Sequence, residues 1–215
     1  YRITSDWHGW SGADNEQGWD NHFRVAQATA QFRGAPNTYK SRSFPDMDML
    51  HPFADPESFR MQQTLWSMVR SPLMYGGDPR ELTPSHPHVE IMTNMDVIEL
   101  ADGSTEGGTQ LWHTNVSAAY VATSEDGKLK WVAFFKFNGP PESLSVTLPQ
   151  INISAIDTVT IIDLWNIQAP PRTVYGGPVT SDLLTPCKTD GTASSSPCCA
   201  LYELWTDTRV NVRPF

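Results

Sequence analysis

Carboxylate side chains follow three apolar stretches in the first half of the sequence. Asp6 follows YRITS, Asp46 and Asp48 lie within FPDMDML, and Asp78 follows SPLMYGG. Trp7 comes directly after the first of these carboxylates. Carboxylates can hydrogen-bond sugar hydroxyls or transfer protons, and an indole face can cover the apolar side of a pyranose ring. These residue types favour a carbohydrate site, provided that the three stretches end at the same edge of one sheet.

The elements predicted around these carboxylates would bring them together. They are, in order, a strand over 1–6, a helix over 20–34, a strand near 43–48, a helix after Asp55, a strand over 71–77 and a helix over roughly 83–94. Strands that alternate with helices in this way predict right-handed crossovers and a parallel sheet. In such sheets the carboxyl ends of the strands share one edge, and the catalytic and ligand-binding residues lie at that edge.

The helix after the second strand has the clearest start signal in the sequence. Asp55 is a candidate N-cap, Pro56 occupies the first helical position and Glu57 lies in the first turn. From Met61 onward, apolar residues recur with the spacing i, i+4, i+7 and i+8. This spacing predicts a helix that packs one face against a sheet.

The second half of the chain has a different pattern. After Gly103 come short stretches rich in Val, Thr and aromatic residues, namely TQLWHT, AAYVAT, KWVAFFKF, LSVTL, TVTIIDLW and ALYELW. Turn sequences such as EDGK, NGPP and YGGP separate them, which predicts an antiparallel β-sandwich of about six to eight strands. The sequence therefore predicts two domains, an α/β unit over 1–102 and an all-β unit over 103–215.

Composition excludes several partner classes. The net charge is −9 and the isoelectric point is near 5.0, and both argue against nucleic acid or anionic lipid as partners because these reward Lys and Arg clusters. No apolar run approaches the ~18 residues that a membrane span needs. The histidines follow no metal-binding spacing, so we expect no metal.

Three late cysteines and two sequons bear on the cellular location. Cys187 can pair with Cys198 or Cys199, leaving one cysteine over, and the alternative is three free thiols. Asn115 and Asn152 begin N-x-S sequons and are candidate glycosylation sites. Together these features favour a secreted, extracellular or lysosome-like location over a cytosolic one.

Several motifs in order resemble one glycosidase family. YRIT-S-D, FPDMDML, LWSMVRSPLMYGGDPREL and IMTNMDVIEL resemble the C-terminal half of the catalytic barrel of melibiase-type α-galactosidases, which form glycoside hydrolase family 27 with relatives in the same clan. The resemblance implies the last three β/α units, strands six to eight, of a (β/α)8 TIM barrel, followed by an antiparallel β-sandwich. It also implies retaining cleavage of terminal α-linked galactose or a related sugar, without a cofactor.

The resemblance assigns roles to particular residues. Asp6 would be the general acid/base. The expected substrate contacts are Arg2, Trp7, Asp48 and Met49, with Asp46 as a supporting neighbour. Two segments depart from the family pattern: W-N-D-P-D-M-L is replaced by SFPDMDML, and N-Q-D is replaced by ELADGS. These departures bear on the substrate more than on the fold.

The resemblance also implies that the catalytic site is shared with another segment. The nucleophilic Asp would lie on barrel strand four, so we expect this chain to act on α-galactoside-type carbohydrate only with the N-terminal half of the barrel, supplied as a separate chain or a missing segment. One alternative is a catalytically inactive glycosidase-like protein with a structural or glycan-binding role, which the altered FPDMDML region favours. A third interpretation is a free-standing β-sandwich binding module over 104–215.

Overall fold

The structure, a computed structural model, describes residues 45–105, 107–187, 194 and 196–206. In this part of the chain the α-helices are α1 (Pro56–Val69), α2 (Pro87–Met92) and α3 (Met95–Gly103), with short 3-10 turns at Pro79–Glu81 and Leu148–Ile151. The strands are β1 (Thr109–His113), β2 (Ser117–Thr123), β3 (Leu129–Lys136), β4 (Ser145–Val146), β5 (Thr158–Asp163), β6 (Arg172–Tyr175), β7 (Val179–Thr180) and β8 (Cys199–Trp205).

Two extended segments, one before α1 in the chain and one after it, run parallel to each other. A parallel bridge joins Leu50 to Tyr75, where the Leu50 amide donates to the Met74 carbonyl at 2.7 Å and the Gly76 amide donates to the Leu50 carbonyl at 2.8 Å. This is one β-α-β connection with a parallel pairing, as predicted. The pairing is a single bridge at Leu50, two residues beyond the strand predicted near 43–48, and neither segment forms a regular strand. The predicted strand over 1–6 and the helix over 20–34 lie outside the described residues.

Helix α1 begins as the sequence predicts and is buried more widely than predicted. The Asp55 carboxylate accepts hydrogen bonds from the amides of Glu57 and Ser58, both at 3.3 Å, and Pro56 is the first helical residue. Helices α2 and α3 lie along α1, and strands β3 and β8 also contact it. Five of its polar residues, namely Ser58, Gln62, Gln63, Thr64 and Ser67, are therefore buried as well as its predicted apolar face.

The helical region after α1 differs from its prediction. The expected helix from Thr83 to Asn94 begins only at Pro87, because Pro87 has no amide to donate and suits the first helical position. The Asn94 side chain then caps a further helix, α3, by accepting from the amides of Asp96 at 3.1 Å and Val97 at 3.3 Å. The predicted helix is therefore shorter than expected, and α3, which begins after Asn94, is a helix that the sequence analysis did not predict.

The second half forms the predicted antiparallel sandwich. Six strands pair in the order β1-β2-β3-β8-β5-β6, and β4 pairs with β7 in a separate two-stranded sheet. Strand β3 is buried along its whole length, because its two faces serve two cores. Trp131 and Phe135 face the core that includes α1, whereas Val132 and Phe134 face the core that includes β4 and β7.

A disulfide closes a loop near the end of the second half, and this loop contacts the start of α1. Cys187 pairs with Cys198, with a Cα–Cα distance of 5.1 Å, and Cys199 is free and buried. Burial raises the pKa of the Cys199 thiol to about 12, so it stays protonated at physiological pH. Within the loop between the paired cysteines, the Ser194 amide and hydroxyl donate to the Asp55 carboxylate at 3.1 and 2.7 Å. The structure thereby selects one of the two pairings that the sequence left open.

His88 is buried between α1 and the extended segment that contains Tyr75. Its ring stacks on Phe59 with centroids 4.1 Å apart, and Tyr75 and His86 flank it. His88 Nε2 lies 2.9 Å from the Phe53 carbonyl, so we assign the proton to Nε2. Nδ1 is buried and has no hydrogen-bond partner in the described part of the chain. Burial accordingly lowers the pKa of His88.

We expect His88 to make the protein less stable under acidic conditions. Because the pKa of His88 is lower in the folded state than its ordinary value of 6.5, the unfolded state binds the proton more readily. The free energy of unfolding should therefore fall as the pH decreases below about 6.5. Denaturant titrations between pH 8 and pH 5 should show a weaker pH dependence for His88→Gln than for the wild type. An equal pH dependence in the two proteins would exclude this role for His88.

Candidate functional site

The described part of the predicted site is the segment from Asp46 to Met49. It directly precedes Leu50, the residue that bridges to Tyr75 across the crossover. Asp46 and Asp48 are half-buried, and Met49 is 51% exposed. The other predicted site residues, Arg2, Asp6 and Trp7, lie outside the described residues, so their roles stay predictions. The structure shows one wall of the predicted site.

Asp48 has a backbone conformation that side chains rarely adopt. Its φ is +72°, in the left-handed region, which costs roughly 1–2 kcal/mol for a residue with a Cβ. Asp tolerates this region better than most residues. Hydrogen bonds at both ends of the residue offset the cost: the Asp48 amide donates to Asp46 Oδ1 at 2.9 Å, and its carbonyl accepts from Trp66 Nε1 at 2.7 Å. The turn that presents the Asp48 carboxylate is therefore held by one bond from within the segment and by one bond from helix α1.

Each backbone amide around Asp48 has a hydrogen-bond acceptor. Every amide from residue 47 to residue 51 has an acceptor, and the acceptors in chain order are Ser71 Oγ, Asp46 Oδ1, Asp48 Oδ1, the Met74 carbonyl and Gln62 Oε1. Four of these five acceptors belong to side chains, which is unusual for a segment beside a parallel strand, where carbonyls of the neighbouring strand normally accept. Side chains rather than a regular ladder hold this segment in its irregular path.

Gly76 allows the two extended segments to approach each other. A Cβ at this position would lie 3.0 Å from the Met49 Cβ and 3.1 Å from the Leu50 carbonyl oxygen. Both distances are shorter than ordinary van der Waals contact. The GG of SPLMYGG is therefore required by packing next to the predicted site.

One face of the crossover carries exposed apolar side chains. Leu73 and Tyr75 pack against the core, so Met74, which lies between them on an extended segment, points to the opposite face. Met74 is 49% exposed, and Met49 is exposed next to Gly76. In a closed barrel the strand face opposite the helices is the interior.

The chemistry available at this wall is that of two carboxylates and a thioether. Asp46 and Asp48 accept hydrogen bonds, which suits them to orient hydroxyl groups, and Met49 supplies apolar contact. Among the described residues, no three histidine, cysteine or carboxylate side chains lie close enough together to hold a metal ion. Nor does any described helix have the length and apolar character to cross a membrane.

The sequence analysis did not identify two residues of α1 that bond the backbone in and next to the predicted site. Trp66 and Gln62 were expected only as part of a helix that packs against a sheet, but Trp66 bonds the Asp48 carbonyl within the predicted site and Gln62 bonds the His51 amide just after it. They are one helical turn apart, so they lie on the same face. A polar side chain and an indole at this spacing in an otherwise apolar face were the signal available in the sequence.

Comparison with solved structures identifies the fold. The chain is similar to a GH27 β-L-arabinopyranosidase from Geobacillus stearothermophilus, with 19% identity, a TM-score of 0.69 and coverage of 97% of this chain and 45% of that chain. It is also similar to α-galactosidase I from Mortierella vinacea, with 16% identity, a TM-score of 0.67 and coverage of 86% and 43%. An α-galactosidase from Saccharomyces cerevisiae matches with 15% identity, a TM-score of 0.58 and coverage of 77% and 47%.

These matches confirm the predicted resemblance at the level of the fold. The chain has the fold of part of a GH27 glycosidase, and it spans about 45% of the length of the first of these enzymes. At identities below 25%, a shared fold does not by itself assign an activity. No protein-family model and no curated protein sequence matches the chain.

Proposed function

We propose that this chain is the C-terminal portion of a retaining, α-galactosidase-like glycoside hydrolase that cleaves terminal α-linked galactose or a related sugar. Residues 1–102 would supply strands six to eight of the (β/α)8 barrel, and residues 103–215 the sandwich domain. The observation that carries the proposal is the fixed turn at Asp48, which presents a carboxylate beside a β-α-β crossover in a fold shared with α-galactosidases.

The proposed reaction uses two carboxylates on opposite sides of the glycosidic bond. A nucleophilic Asp from the N-terminal half of the barrel attacks C1, while Asp6 protonates the departing oxygen. Asp6 then removes a proton from water, and the water oxygen displaces the nucleophile from C1. The anomeric configuration is retained because two displacements occur at one carbon. Arg2, Trp7, Asp48 and Met49 would hold the sugar, with Asp46 supporting Asp48.

The exposed face of the crossover supports a need for the N-terminal half of the barrel. Met49 and Met74, each about half exposed, lie on the face that would point into the barrel interior. The described parallel pairing is one bridge long, and a short open stretch of parallel strands leaves unpaired edges. The remaining strands would cover this apolar face and pair with these edges.

A secreted, extracellular or lysosome-like location fits the same protein. The Cys187–Cys198 disulfide is typical of an oxidising compartment. Asn115 is exposed in the turn between β1 and β2, and Asn152 is exposed after the second 3-10 turn, so both candidate sequons are accessible to a glycan. We propose both as glycosylation sites, which peptide mass mapping of the native protein would test.

The test of the proposed function is turnover by the complete barrel. We expect the full-length polypeptide, or this chain combined with the segment that carries strands one to five, to hydrolyse 4-nitrophenyl α-galactoside and to release α-galactose first, as followed by NMR. We expect the 215-residue chain alone to show no turnover. Galactose binding without turnover by the complete barrel would support the inactive glycan-binding alternative instead.

A further inference from the structure

Two residues of helix α1 contact the backbone at two points three residues apart, one within the predicted site and one just after it. Trp66 Nε1 donates to the Asp48 carbonyl at 2.7 Å, and Gln62 Oε1 accepts from the His51 amide at 2.7 Å. Trp66 and Gln62 are both fully buried. One bond supplies a donor and the other an acceptor, so together they fix both the position and the direction of the chain between Asp48 and His51.

The hydrogen bond from Trp66 is made to Asp48, the residue of this segment with the least favourable backbone conformation. Asp48 has positive φ, and a residue held in a sparsely populated conformation relaxes unless its surroundings fix it. The other described bond to its backbone, from its own amide to Asp46 Oδ1, comes from within the same turn and would move with it. Trp66 therefore supplies an anchor to a rigid element outside the turn.

We propose that Trp66 and Gln62 are positioning residues for Asp48. They act through the backbone, keeping the left-handed turn in place so that the Asp48 carboxylate meets a sugar hydroxyl at hydrogen-bond distance. This inference rests on the proposed function, since it assigns the sugar contact to Asp48. Neither residue touches the substrate in this account.

The test uses Trp66→Phe, which keeps a buried aromatic ring and removes the N–H donor. We expect kcat/KM of the complete barrel for 4-nitrophenyl α-galactoside to fall by about 10- to 100-fold, because displacements near 1 Å have effects of this order. Most of the loss should appear in KM, since Asp48 would bind the sugar in both the ground state and the transition state. Partial unfolding would instead lower kcat at unchanged KM, because fewer molecules would be active.

Trp165→Phe is the matched control. Trp165 Nε1 donates to Thr64 Oγ1 at 3.0 Å, so this variant also removes an indole donor that bonds a residue of α1, but away from the turn. We expect its KM to equal that of the wild type. Gln62→Met, which removes the acceptor at similar volume, should raise KM in the same direction as Trp66→Phe and provides the test if Trp66→Phe does not fold.

Hydrogen exchange separates this inference from the proposed function. The amides of residues 48–51 should exchange faster in Trp66→Phe than in Trp165→Phe, whether or not the protein hydrolyses a galactoside. If the wild-type barrel is inactive, the proposed function is wrong and the exchange comparison alone decides whether α1 holds the turn. Unchanged exchange and unchanged KM in both Trp66→Phe and Gln62→Met would overturn the positioning role.

Discussion

Asp6→Asn in the complete barrel is expected to lower kcat/KM for 4-nitrophenyl α-galactoside by about 10²- to 10⁴-fold, the range that general acid–base catalysis contributes. The amide of Asn cannot give a proton to the departing oxygen or take one from water. Because both displacements need this proton transfer, both steps should slow. Steady-state kinetics of the purified variant would measure the loss.

Two further measurements would assign the loss to proton transfer. A 2,4-dinitrophenyl galactoside needs little protonation of its leaving group, so the first step should recover and the second should limit the rate. Azide attacks without a general base, so it should accelerate turnover by Asp6→Asn and form a galactosyl azide. Asp78→Asn is the matched control, because Asp78 follows the extended segment over 71–77 and bonds the exposed Arg80. Wild-type turnover in Asp6→Asn would remove Asp6 from the mechanism.

Asp55→Ala is expected to lower the free energy of unfolding by about 2–4 kcal/mol, combining the loss of a helix cap with the loss of hydrogen bonds to a charged group. The Asp55 carboxylate is 2% exposed and accepts five described hydrogen bonds. Three come from the first turn of α1, and two come from Ser194 in the disulfide loop. Truncation would remove the shared acceptor of these donors from a site that is largely shielded from water, and losing one partner of a shielded hydrogen bond costs more than the bond itself contributes.

Asp78→Ala is again the comparison, this time for stability. Asp78 also caps a helical turn, accepting from the Arg80 amide at 2.9 Å, but its carboxylate is partly exposed and water can replace it. We expect a much smaller loss in the free energy of unfolding for Asp78→Ala than for Asp55→Ala in urea or guanidinium titrations. Equal losses for the two variants would mean that the contact with Ser194 adds nothing to an ordinary cap.

Local signals allowed parts of the fold to be predicted. The start of α1 was predicted correctly because Asp55, Pro56 and Glu57 act on the nearest turn of backbone. The six strand stretches quoted from the sequence correspond to β1 to β5 and β8. Strands β6 and β7 were missed because β6 is largely exposed, so RTVY lacks a buried apolar alternation, and β7 is two residues long.

The roles assigned to the site residues stay predictions. Asp46 and Asp48 were chosen because carboxylates at the end of a predicted strand can lie at the edge of a parallel sheet, and because FPDMDML resembles the family motif. The positive φ of Asp48 and its bond to Trp66 could not be chosen, because they depend on how α1 lies across the strand. The pairing of Cys187 with Cys198 rather than Cys199 likewise depends on tertiary placement, since the two candidates are adjacent in sequence.

The burial of α1 has a consequence for how the protein unfolds. One apolar core draws residues such as Trp66 and Leu100 from the first half of the chain and Trp131 and Leu201 from the second. Removing either half would expose the side of α1 or of β3 that the other half covers. The two halves should therefore melt in a single calorimetric transition, and a protease should not release a stable fragment that begins near residue 104.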